Sequence, residues 1–496
     1  MPLEPLLIRA DASPDIGTGH VMRCLALAEA WQDAGGKVFF VISCDSPAME
    51  VRLRNEGIQI LHINQKAGTL GDANETARIA HEVRADWIVV DGYQFGAEYQ
   101  KTIKDAGLFL LYIDDFGHAD HYYADFVLNQ NNYADMSLYK KYEPNTRFLL
   151  GTKYVLIRKE FLQWAGWKRT IPGMARKILV TMGGSDRENM TGMVIRALKC
   201  VDLEGLEAII VVGGLNCHYT ELQEMVKDLP NLSLRKNVEN MTELMAWADI
   251  AISAGGSTCW ELAFMGLPSI LCLIAENQKL IVEDLQSKGI VRVFGTHGLQ
   301  NPVISASVIA EILGSFETRS KLSKKIKKLV DRKGAARIIS AINSNKIRLR
   351  HVRESDCRII WKWINDTYVR ACSFYPDPIP LDTHRKWFSS ILADSNIIYY
   401  IALDSQDNPL GQARFRINGG EAIISVLVDA EHRGLNIGPE LIRRATEQFF
   451  NEMGIQKVSA YIKCENEVSK KAFTKAGYIE HGFITINGQK AYHLIK

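Results

Sequence analysis

Short runs of consecutive apolar residues, separated by helical patterns, occupy the first two thirds of the chain. A continuous apolar run is expected where helices cover both faces of a parallel sheet. The runs form two series along the chain. The first series predicts strands at 37–42, 87–90 and 108–113, and the second predicts strands at 177–181, 208–212, 250–253 and 269–273.

The stretch between the two series is irregular. Gly166, Pro172 and Gly173 interrupt it, and such residues break regular structure. We therefore predict two doubly wound α/β domains, at residues 1–165 and 166–345.

The pattern changes after Asn345. Residues 347–352 alternate like a strand, and the rest mixes helical segments with antiparallel-looking strands such as 398–402 and 422–428. This pattern predicts an α+β domain over residues 346–496, which is close to the usual domain size.

Composition narrows the possible functions. A net charge of +2 over 496 residues gives no global attraction to nucleic acid or acidic membranes. The apolar fraction of 47% and charged fraction of 23% are those of a soluble globular protein, and no apolar run approaches a membrane span. The first residues lack the pattern of a secretion signal. The nine cysteines are scattered, so we expect a reduced, cytoplasmic protein without disulfides or a zinc site.

A glycine turn precedes the first long helical pattern. Gly17-Thr18-Gly19-His20 follows a strand that ends at Asp11, and it opens a helix over 21–34. A helix N-terminus disfavours added positive charge, so we expect His20 to be biased toward the neutral form that can take a proton from water. The residues alone are equally consistent with a turn that only shapes the backbone, with His20 as a helix cap.

The turn and its neighbours resemble a known family. Residues 9–11 and 16–28 are similar to the opening of the UDP-sugar hydrolases of pseudaminic acid biosynthesis. The resemblance extends over about residues 5–340. Later segments that fit the same family are 90–93, 112–115, 128–131, 150–158 and 182–186.

This resemblance implies the GT-B architecture, in which two Rossmann-like lobes enclose the active site. It implies hydrolysis of UDP-2,4-diacetamido-2,4,6-trideoxy-β-L-altropyranose to the free sugar and UDP without a metal, with His20 as the base for the attacking water. Tyr93 would line the sugar pocket, although an ordinary exposed loop aromatic is about as consistent with its position. Substrate contacts are also assigned to Asp11, Gly17 and Gly19.

A second glycine turn lies at residues 253–258, between a strand and a helix expected over 259–265. Backbone N–H groups in such a turn, together with the helix dipole, suit a diphosphate without a metal. Glu261 could accept hydrogen bonds from ribose hydroxyls or could form a capping box with Thr258, and spacing alone favours the box.

Similar Gly-Gly-Ser-x-x-x-Glu segments occur in GT-B enzymes with UDP donors, such as the glucosaminyltransferase of peptidoglycan assembly. That resemblance implies that Glu261 holds the ribose and that Asn277 and Gln278 contact the sugar. Asn277 would also fit a helix N-cap. The implied substrate-binding residues of this lobe are Gly255, Gly256, Ser257, Thr258, Glu261, Asn277 and Gln278.

A third glycine turn, at residues 429–438, follows a strand that ends at Val428 and precedes a helix over 439–450. It resembles the acetyl-CoA loop of GNAT acetyltransferases, and residues 458–478 resemble the closing motif of that family. The resemblance spans about residues 346–490 and implies acetyl-CoA as cosubstrate. The implied contacts are Val428, Arg433, Gly434, Asn436, Ile437, Gly438 and Asn466.

Two features of this last domain depart from the family pattern. Asn436 replaces the usual first glycine of the loop, and Phe473 stands where a tyrosine often protonates the leaving thiolate. Tyr461 and Tyr478 are alternative acids, although tyrosines at such positions are more often aromatic residues packed in the core. The base could be Glu431, His432 or no residue.

Together these resemblances predict an α/β protein, with a GT-B-like pair of Rossmann-type domains followed by an α+β GNAT acetyltransferase domain. They imply a bifunctional enzyme, in which 4-N-acetylation of the UDP-4-amino-sugar precedes removal of UDP. The alternatives are a UDP-sugar glycosyltransferase-like protein or a non-catalytic UDP-sugar sensor, and a protein (ribosomal or N-terminal) acetyltransferase. We expect small-molecule substrates, and neither nucleic acid, membrane nor an obligate protein partner.

Overall fold

The computed structural model describes residues 3–13, 16–44, 46–202, 204–238, 240–294, 301–344, 347–404, 407–435 and 437–496. The chain forms two compact units that divide between Ala335 and Ala336. Among the described residues, the first unit contains two parallel sheets and the second contains one mixed sheet.

The first sheet has seven parallel strands in the order β3-β2-β1-β4-β5-β6-β7. Its central strands are almost completely buried, as expected for runs covered by helices on both faces. The strands are β1 (Leu6–Ala10), β2 (Val38–Ile42), β3 (Gln59–His62), β4 (Trp87–Asp91), β5 (Phe109–Ile113), β6 (Phe126–Asn129) and β7 (Arg147–Leu150). The helices are α1 (Gly19–Asp33), α2 (Pro47–Asn55), α3 (Leu70–Glu82), α4 (Ala97–Asp105) and α5 (Lys159–Leu162).

The second sheet has six parallel strands in the order β10-β9-β8-β11-β12-β13. The strands are β8 (Lys177–Thr181), β9 (Glu207–Val212), β10 (Leu232–Lys236), β11 (Ile250–Ala254), β12 (Ser269–Cys272) and β13 (Arg292–Val293). The helices are α6 (Met190–Leu198), α7 (Tyr219–Val226), α8 (Met241–Trp247), α9 (Thr258–Phe264), α10 (Lys279–Ser287), α11 (Pro302–Gly314), α12 (Phe316–Ile326) and α13 (Gly334–Ser344), the last of which crosses the division between the units.

The second unit has a seven-stranded sheet in the order β14-β15-β16-β17-β18-β20-β19. Adjacent strands in this sheet are antiparallel, except that β17 and β18 are parallel. The strands are β14 (Arg348–His351), β15 (Ile397–Leu403), β16 (Pro409–Asn418), β17 (Glu421–Val428), β18 (Val458–Lys463), β19 (Ile479–Ile486) and β20 (Gln489–Ile495). The helices are α14 (Cys357–Ile364), α15 (Thr367–Cys372), α16 (Leu381–Leu392), α17 (Ile437–Met453) and α18 (Glu467–Lys475).

The predicted fold class is confirmed by this pair of parallel sheets followed by a mixed sheet. The polypeptide enters the core of the second sheet soon after β7. Val155, Ile157 and Phe161 are buried in the same hydrophobic cluster as Leu179 and Trp260. The connection that follows β7 is therefore packed with the second sheet.

Arg169 fixes the connecting segment to two helix ends. Its guanidinium donates to the carbonyl oxygens of Met265 at 3.1 Å, Ala248 at 2.6 Å and Met245 at 2.5 Å. These carbonyls lie at the C-terminal ends of α8 and α9, where intrahelical donors run out and a cation complements the helix dipole. Burial lowers the pKa of Arg169 to about 10, so the side chain remains a cation at neutral pH.

His384 is a buried histidine of the second unit. Its Nε2 lies 3.1 Å from the carbonyl oxygen of Cys357, and its ring packs against Trp387 and Phe388. Nδ1 has no partner among the described residues. A carbonyl can only accept, so Nε2 carries the proton. Protonation of Nδ1 would bury a charged donor without an acceptor.

We expect Arg169→Ala to lower the free energy of unfolding of the first unit by roughly 3 kcal/mol, because three buried carbonyls lose a charged donor. Arg169→Lys should recover part of this loss. Urea unfolding of the full chain measures the effect, and Lys168→Ala, at the exposed neighbouring position, is the control. Equal stability of the Arg169→Ala and Lys168→Ala variants would contradict this role.

We expect the second unit to lose stability as the pH falls below about 6.5, partly through His384. Burial lowers the pKa of His384 from its ordinary value of 6.5, against the opposing hydrogen bond to Cys357. The unfolded chain therefore binds a proton that the folded chain resists, and the free energy of unfolding decreases as the pH falls. Hydrogen exchange of α16 between pH 5.5 and 7.5 measures this dependence. His384→Gln should reduce it, whereas replacement of the exposed His481 by Gln should not.

Candidate active sites

A cleft of about 1760 Å³ runs between the two parallel sheets of the first unit. Both sheets contribute side chains to its walls. It brings together most of the predicted substrate contacts, namely Gly17, Gly19, His20, Tyr93, Gly256, Ser257, Thr258, Glu261, Asn277 and Gln278.

His20 lies in the first turn of α1, at the mouth of the glycine turn. Its Nδ1 is 2.6 Å from Oδ1 of Asp91, the last residue of β4. Burial would raise the pKa of Asp91, but the Arg23 guanidinium and His20 hold that pKa well below its usual range. An ionised carboxylate can only accept, so Nδ1 donates and Nε2 is the remaining acceptor of the ring. Nε2 has no protein partner among the described residues.

Arg23 holds this histidine and carboxylate in place. It lies one turn after His20 on α1 and donates to both oxygens of Asp91, each at 2.6 Å. It also reaches Asp115, just beyond β5, at 2.7 and 3.1 Å. Burial opposes ionisation of Asp115, yet the Arg23 charge lowers the pKa of that carboxyl as well. A single buried cation thus pairs with two carboxylates behind the imidazole, and the three side chains together carry one net negative charge.

The expectation that His20 is biased toward the neutral form took only the N-terminus of α1 into account. In the structure the ring also contacts the Asp91 carboxylate and lies 3.2 Å from the Arg23 guanidinium. The environment of His20 is therefore set by charged side chains as well as by the helix. Sequence reasoning did not assign Arg23, Asp91 or Asp115 to the site. Their signal was available, because β4 and β5 follow β1 in the sheet and acidic residues at adjacent strand ends converge.

Tyr93 connects the two walls of the cleft. Its hydroxyl donates to Asp115 at 2.8 Å and accepts from Nδ2 of Asn277 at 2.7 Å. Its ring lies edge-on to His20, with centroids 4.8 Å apart. Burial, followed by the Asp115 charge, raises the pKa of Tyr93, so the hydroxyl stays protonated at neutral pH. Tyr93 is half-buried, so the alternative of an exposed loop aromatic does not describe it.

Two of the predicted contacts do not line the cleft. Asp11 is buried, pairs with Arg9 at 2.7 Å and accepts from the backbone N–H of Ser43 at 2.8 Å, so it anchors the segment after β2. Gly255 packs against α10, where a Cβ would come 2.3 Å from Val282. Its lack of a side chain is thus required by packing rather than by an opening to the cleft.

The second glycine turn faces the first across the cleft. A Cβ on Gly19 would lie 3.5 Å from the Ser257 hydroxyl oxygen. The hydroxyls of Ser257 and Thr258 have no protein partner among the described residues, so both remain available to a ligand. α9 begins at Thr258, one residue before the predicted start.

Glu261 does not form the capping box that its spacing favours. Its Oε1 instead accepts from Arg158, at 2.9 Å from Nε and 2.8 Å from Nη2. Burial raises the pKa of Glu261, and the Arg158 charge opposes that rise. The N-cap alternative for Asn277 is also wrong, because Gln278 occupies the N-cap position of α10, without a side-chain capping bond, and Asn277 lies in the preceding turn.

In the second unit, β17 and β18 share only a short ladder. They pair at Ala422–Val458 and Ile423–Ser459, and the rest of β17 has no described partner on this side. Such divergence of parallel strands leaves backbone donors and acceptors free on facing edges. The glycine turn follows directly at the end of β17.

The glycine turn is shaped by Arg433 and Gly434. Arg433 donates through Nε to the carbonyl of Val428 at 3.1 Å and pairs with Asp366 at 2.8 Å. Gly434 has a φ of +79°, which favours glycine. α17 begins at Ile437, two residues before the predicted start, and a Cβ on Gly438 would meet nothing closer than 3.8 Å. The predicted contact Asn436 lies outside the described residues.

The structure distinguishes the two tyrosines that could protonate the leaving thiolate. Tyr478 is buried, with its hydroxyl 2.8 Å from Thr446 Oγ1, and burial raises its pKa. It packs against Phe473 as a core aromatic. Tyr461 is half-buried beside His493, with ring centroids 4.9 Å apart. Asn466 caps α18 through Oδ1, which leaves its Nδ2 without a described partner.

The two candidate bases lie in the turn after β17. His432 is half-buried, with Nδ1 3.2 Å from Asp429, and Glu431 is exposed. Across the described parts of both units, no group of three or more His, Cys, Asp or Glu side chains is arranged to hold a metal ion. None of the described helices combines the length and apolar character needed to cross a bilayer.

Two family models match the chain. Residues 177–342 match the glycosyltransferase family 28 C-terminal domain, and residues 346–479 match the acetyltransferase (GNAT) domain. The first match covers the second parallel sheet, and the second match covers most of the mixed sheet.

Known proteins are similar to different parts of the chain. An uncharacterized protein of Methanocaldococcus jannaschii is 23% identical over 95% of this chain and 96% of its own length. The UDP-2,4-diacetamido-2,4,6-trideoxy-β-L-altropyranose hydrolase of Campylobacter jejuni is 26% identical over 57% of this chain and 97% of its own. The crystal structure of spermidine N-acetyltransferase from Vibrio cholerae with CoA and spermine is 22% identical, with a TM-score of 0.28 over 31% of this chain and 95% of its own.

These matches confirm the predicted resemblance and the prediction of an enzyme. The chain joins a region that is similar to a UDP-2,4-diacetamido-2,4,6-trideoxy-β-L-altropyranose hydrolase, and that includes a match to the glycosyltransferase family 28 C-terminal domain, to a region that matches the acetyltransferase (GNAT) domain.

Proposed function

We propose that the first unit hydrolyses UDP-2,4-diacetamido-2,4,6-trideoxy-β-L-altropyranose to the free sugar and UDP without a metal. We further propose that the GNAT domain carries out the preceding 4-N-acetylation of the UDP-4-amino-sugar with acetyl-CoA. The observation that carries the hydrolase proposal is the His20–Asp91 pair, which opens onto a cleft directly opposite a second glycine turn.

In the proposed hydrolysis, His20 takes a proton from water through Nε2. The water oxygen attacks C1 of the sugar from the side opposite UDP, the bond from C1 to the phosphate oxygen breaks, and UDP leaves with the electron pair. The product sugar is therefore inverted at C1. Asp91 keeps the ring in the productive tautomer and stabilises the imidazolium that forms.

The second wall of the cleft is proposed to bind the nucleotide. UDP is a stable leaving group, so stabilisation of its growing negative charge matters more than a strong acid. Preorganised donors of the Gly256–Thr258 turn suit that purpose. Glu261 would accept from the ribose hydroxyls, and Asn277, Gln278 and Tyr93 would contact the sugar.

In the GNAT domain, the diverging edges of β17 and β18 suit an extended ligand with amide groups, which can pair with a strand edge. The acetyl-CoA pyrophosphate would then lie at the turn of Arg433 to Gly438, before the N-terminus of α17. The substrate amine attacks the thioester carbonyl, the C–S bond breaks, and the acetyl group passes to nitrogen. Because Tyr478 packs in the core, Tyr461 is the remaining candidate for the acid that protonates the leaving thiolate.

With this assignment we also propose three domains, two lobes at residues 1–165 and 166–345 and the acetyltransferase at 346–496. Glycosyl transfer to an acceptor other than water is the second candidate for the first unit. The match to the glycosyltransferase family 28 C-terminal domain favours that candidate, because that family name describes transfer.

We expect His20→Ala to lower the rate of UDP release by about 10²–10⁴, because the general base is lost. Asp91→Asn should lower it to a similar extent while both variants still bind UDP. Mass spectrometry of UDP release and calorimetry with UDP measure the two properties. Replacement of the exposed His81 by Ala is the matched control. Normal turnover of His20→Ala would exclude this mechanism, and turnover only with an added sugar acceptor would favour the glycosyltransferase.

We expect Gly438→Trp to abolish release of free CoA thiol from acetyl-CoA and the 4-amino sugar. A Cβ at this position would meet nothing closer than 3.8 Å, so the substitution can begin without a clash at Cβ, and the bulk of the indole should obstruct the turn. UDP release from the diacetamido sugar should be unchanged, and His20→Ala should show the reverse pattern. With full-length protein and the 4-amino sugar, UDP should appear only when acetyl-CoA is present. Thiol release with a protein substrate, and none with the sugar, would favour the protein acetyltransferase.

A further inference from the structure

Arg158 is a buried cation beside the proposed ribose acceptor. Its side chain is 7% exposed. Nε and Nη2 both donate to Oε1 of Glu261, at 2.9 and 2.8 Å, and Nη1 pairs with Glu160 at 2.8 Å. The guanidinium also lies over the Phe161 ring, 5.2 Å from its centroid, which is within the reach of a cation–π contact. The side chain is therefore held on several sides.

The two carboxylate oxygens of Glu261 differ in their hydrogen bonding. Oε1 is occupied by Arg158, whereas Oε2 has no protein partner among the described residues, and the residue lines the cleft. Burial favours the protonated acid, and the adjacent guanidinium favours the carboxylate. Ribose hydroxyls are donors, and they bind more strongly to an ionised acceptor.

The backbone at Arg158 is fixed from the other wall of the cleft. The N–H of Lys159 donates to Oε2 of Glu29 at 2.6 Å. Glu29 lies on α1, the helix that carries His20 in its first turn. The turn at Arg158 thus contacts the helix of the proposed base and the helix of the proposed ribose acceptor.

We propose that Arg158 is a positioning residue for a nucleoside diphosphate: it orients the Glu261 carboxylate so that the free oxygen accepts from the ribose hydroxyls. This inference rests on the proposed function, because it assumes that the cleft binds UDP. Arg158 lies outside residues 177–342, which match the glycosyltransferase domain, so the chain supplies this group from before that domain.

The test compares the affinity of the full-length protein for UDP and for 2′-deoxy-UDP by calorimetry at pH 6, pH 7 and pH 8. We expect Arg158→Met to bind UDP about tenfold more weakly at pH 7, the equivalent of one charge-assisted hydrogen bond. Its preference for UDP over the deoxy compound should fall toward one. Binding should weaken further at pH 6, because an unpaired Glu261 takes up a proton more readily. Arg158→Lys should keep the flat pH dependence, and Glu160→Gln, which spares the contact with Glu261, should resemble the wild type.

Three results would overturn the inference. They are unchanged ribose preference in Arg158→Met, tighter binding of UDP in that variant, and equal effects of Arg158→Met and Glu160→Gln. If Arg158→Met does not fold, Glu261→Gln and Arg158→Lys provide the same comparison, and a wild-type ribose preference in Glu261→Gln excludes the proposed role. Absence of UDP binding by the wild type would instead refute the proposed function, so the two failures are distinguishable.

Discussion

The wall of the cleft that carries His20 depends on one buried guanidinium. Arg23 lies between Asp91 and Asp115, and all three side chains are buried. Removal of two carboxylates from water is costly unless an opposite charge and good geometry compensate. The Arg23 charge allows Asp91 to remain ionised behind His20 and allows Asp115 to accept from Tyr93. The orientation of the imidazole and the contact between the walls therefore have a common origin.

The opposite wall, which we propose binds the nucleotide, offers dipoles rather than a buried ion pair in its glycine turn. Its glycine turn offers backbone N–H groups and two hydroxyls, without a cluster of lysines or arginines in the turn itself. The net charge of +2 is compatible with anionic substrates, because fixed dipoles at helix ends can bind phosphate locally. The second unit has a similar glycine turn between β17 and the N-terminus of α17. Three strand-turn-helix junctions thus provide the candidate sites of both units.

The central strands and the glycine turns could be predicted from the sequence. The edge strands and the side chains that surround His20 could not. The strands at the middle of each parallel sheet are buried runs, which periodicity detects. β3 and β10 lie at sheet edges and are half-exposed, and β13 has only two residues, so they carry a weak signal. His20 stood out because its motif is local, whereas Arg23 meets Asp91 and Asp115 across 68 and 92 residues of chain.

Glu261 shows why local spacing can mislead. The pattern of Thr258 and Glu261 suits a capping box, but a buried arginine 103 residues away competes for the carboxylate. A cap at the surface contributes about 1 kcal/mol, whereas an unpaired buried arginine would cost several. The tertiary pairing therefore prevails over the local one.

The packing of Val155, Ile157 and Phe161 into the second core also determines which parts of the first unit can move together. Arg169 ties the same segment to α8 and α9. A rotation of one parallel sheet against the other would therefore pivot between Leu150 and Val155. Arg158 and Glu261 would travel as one rigid body, and the bond from Lys159 to Glu29 would be among those that stretch.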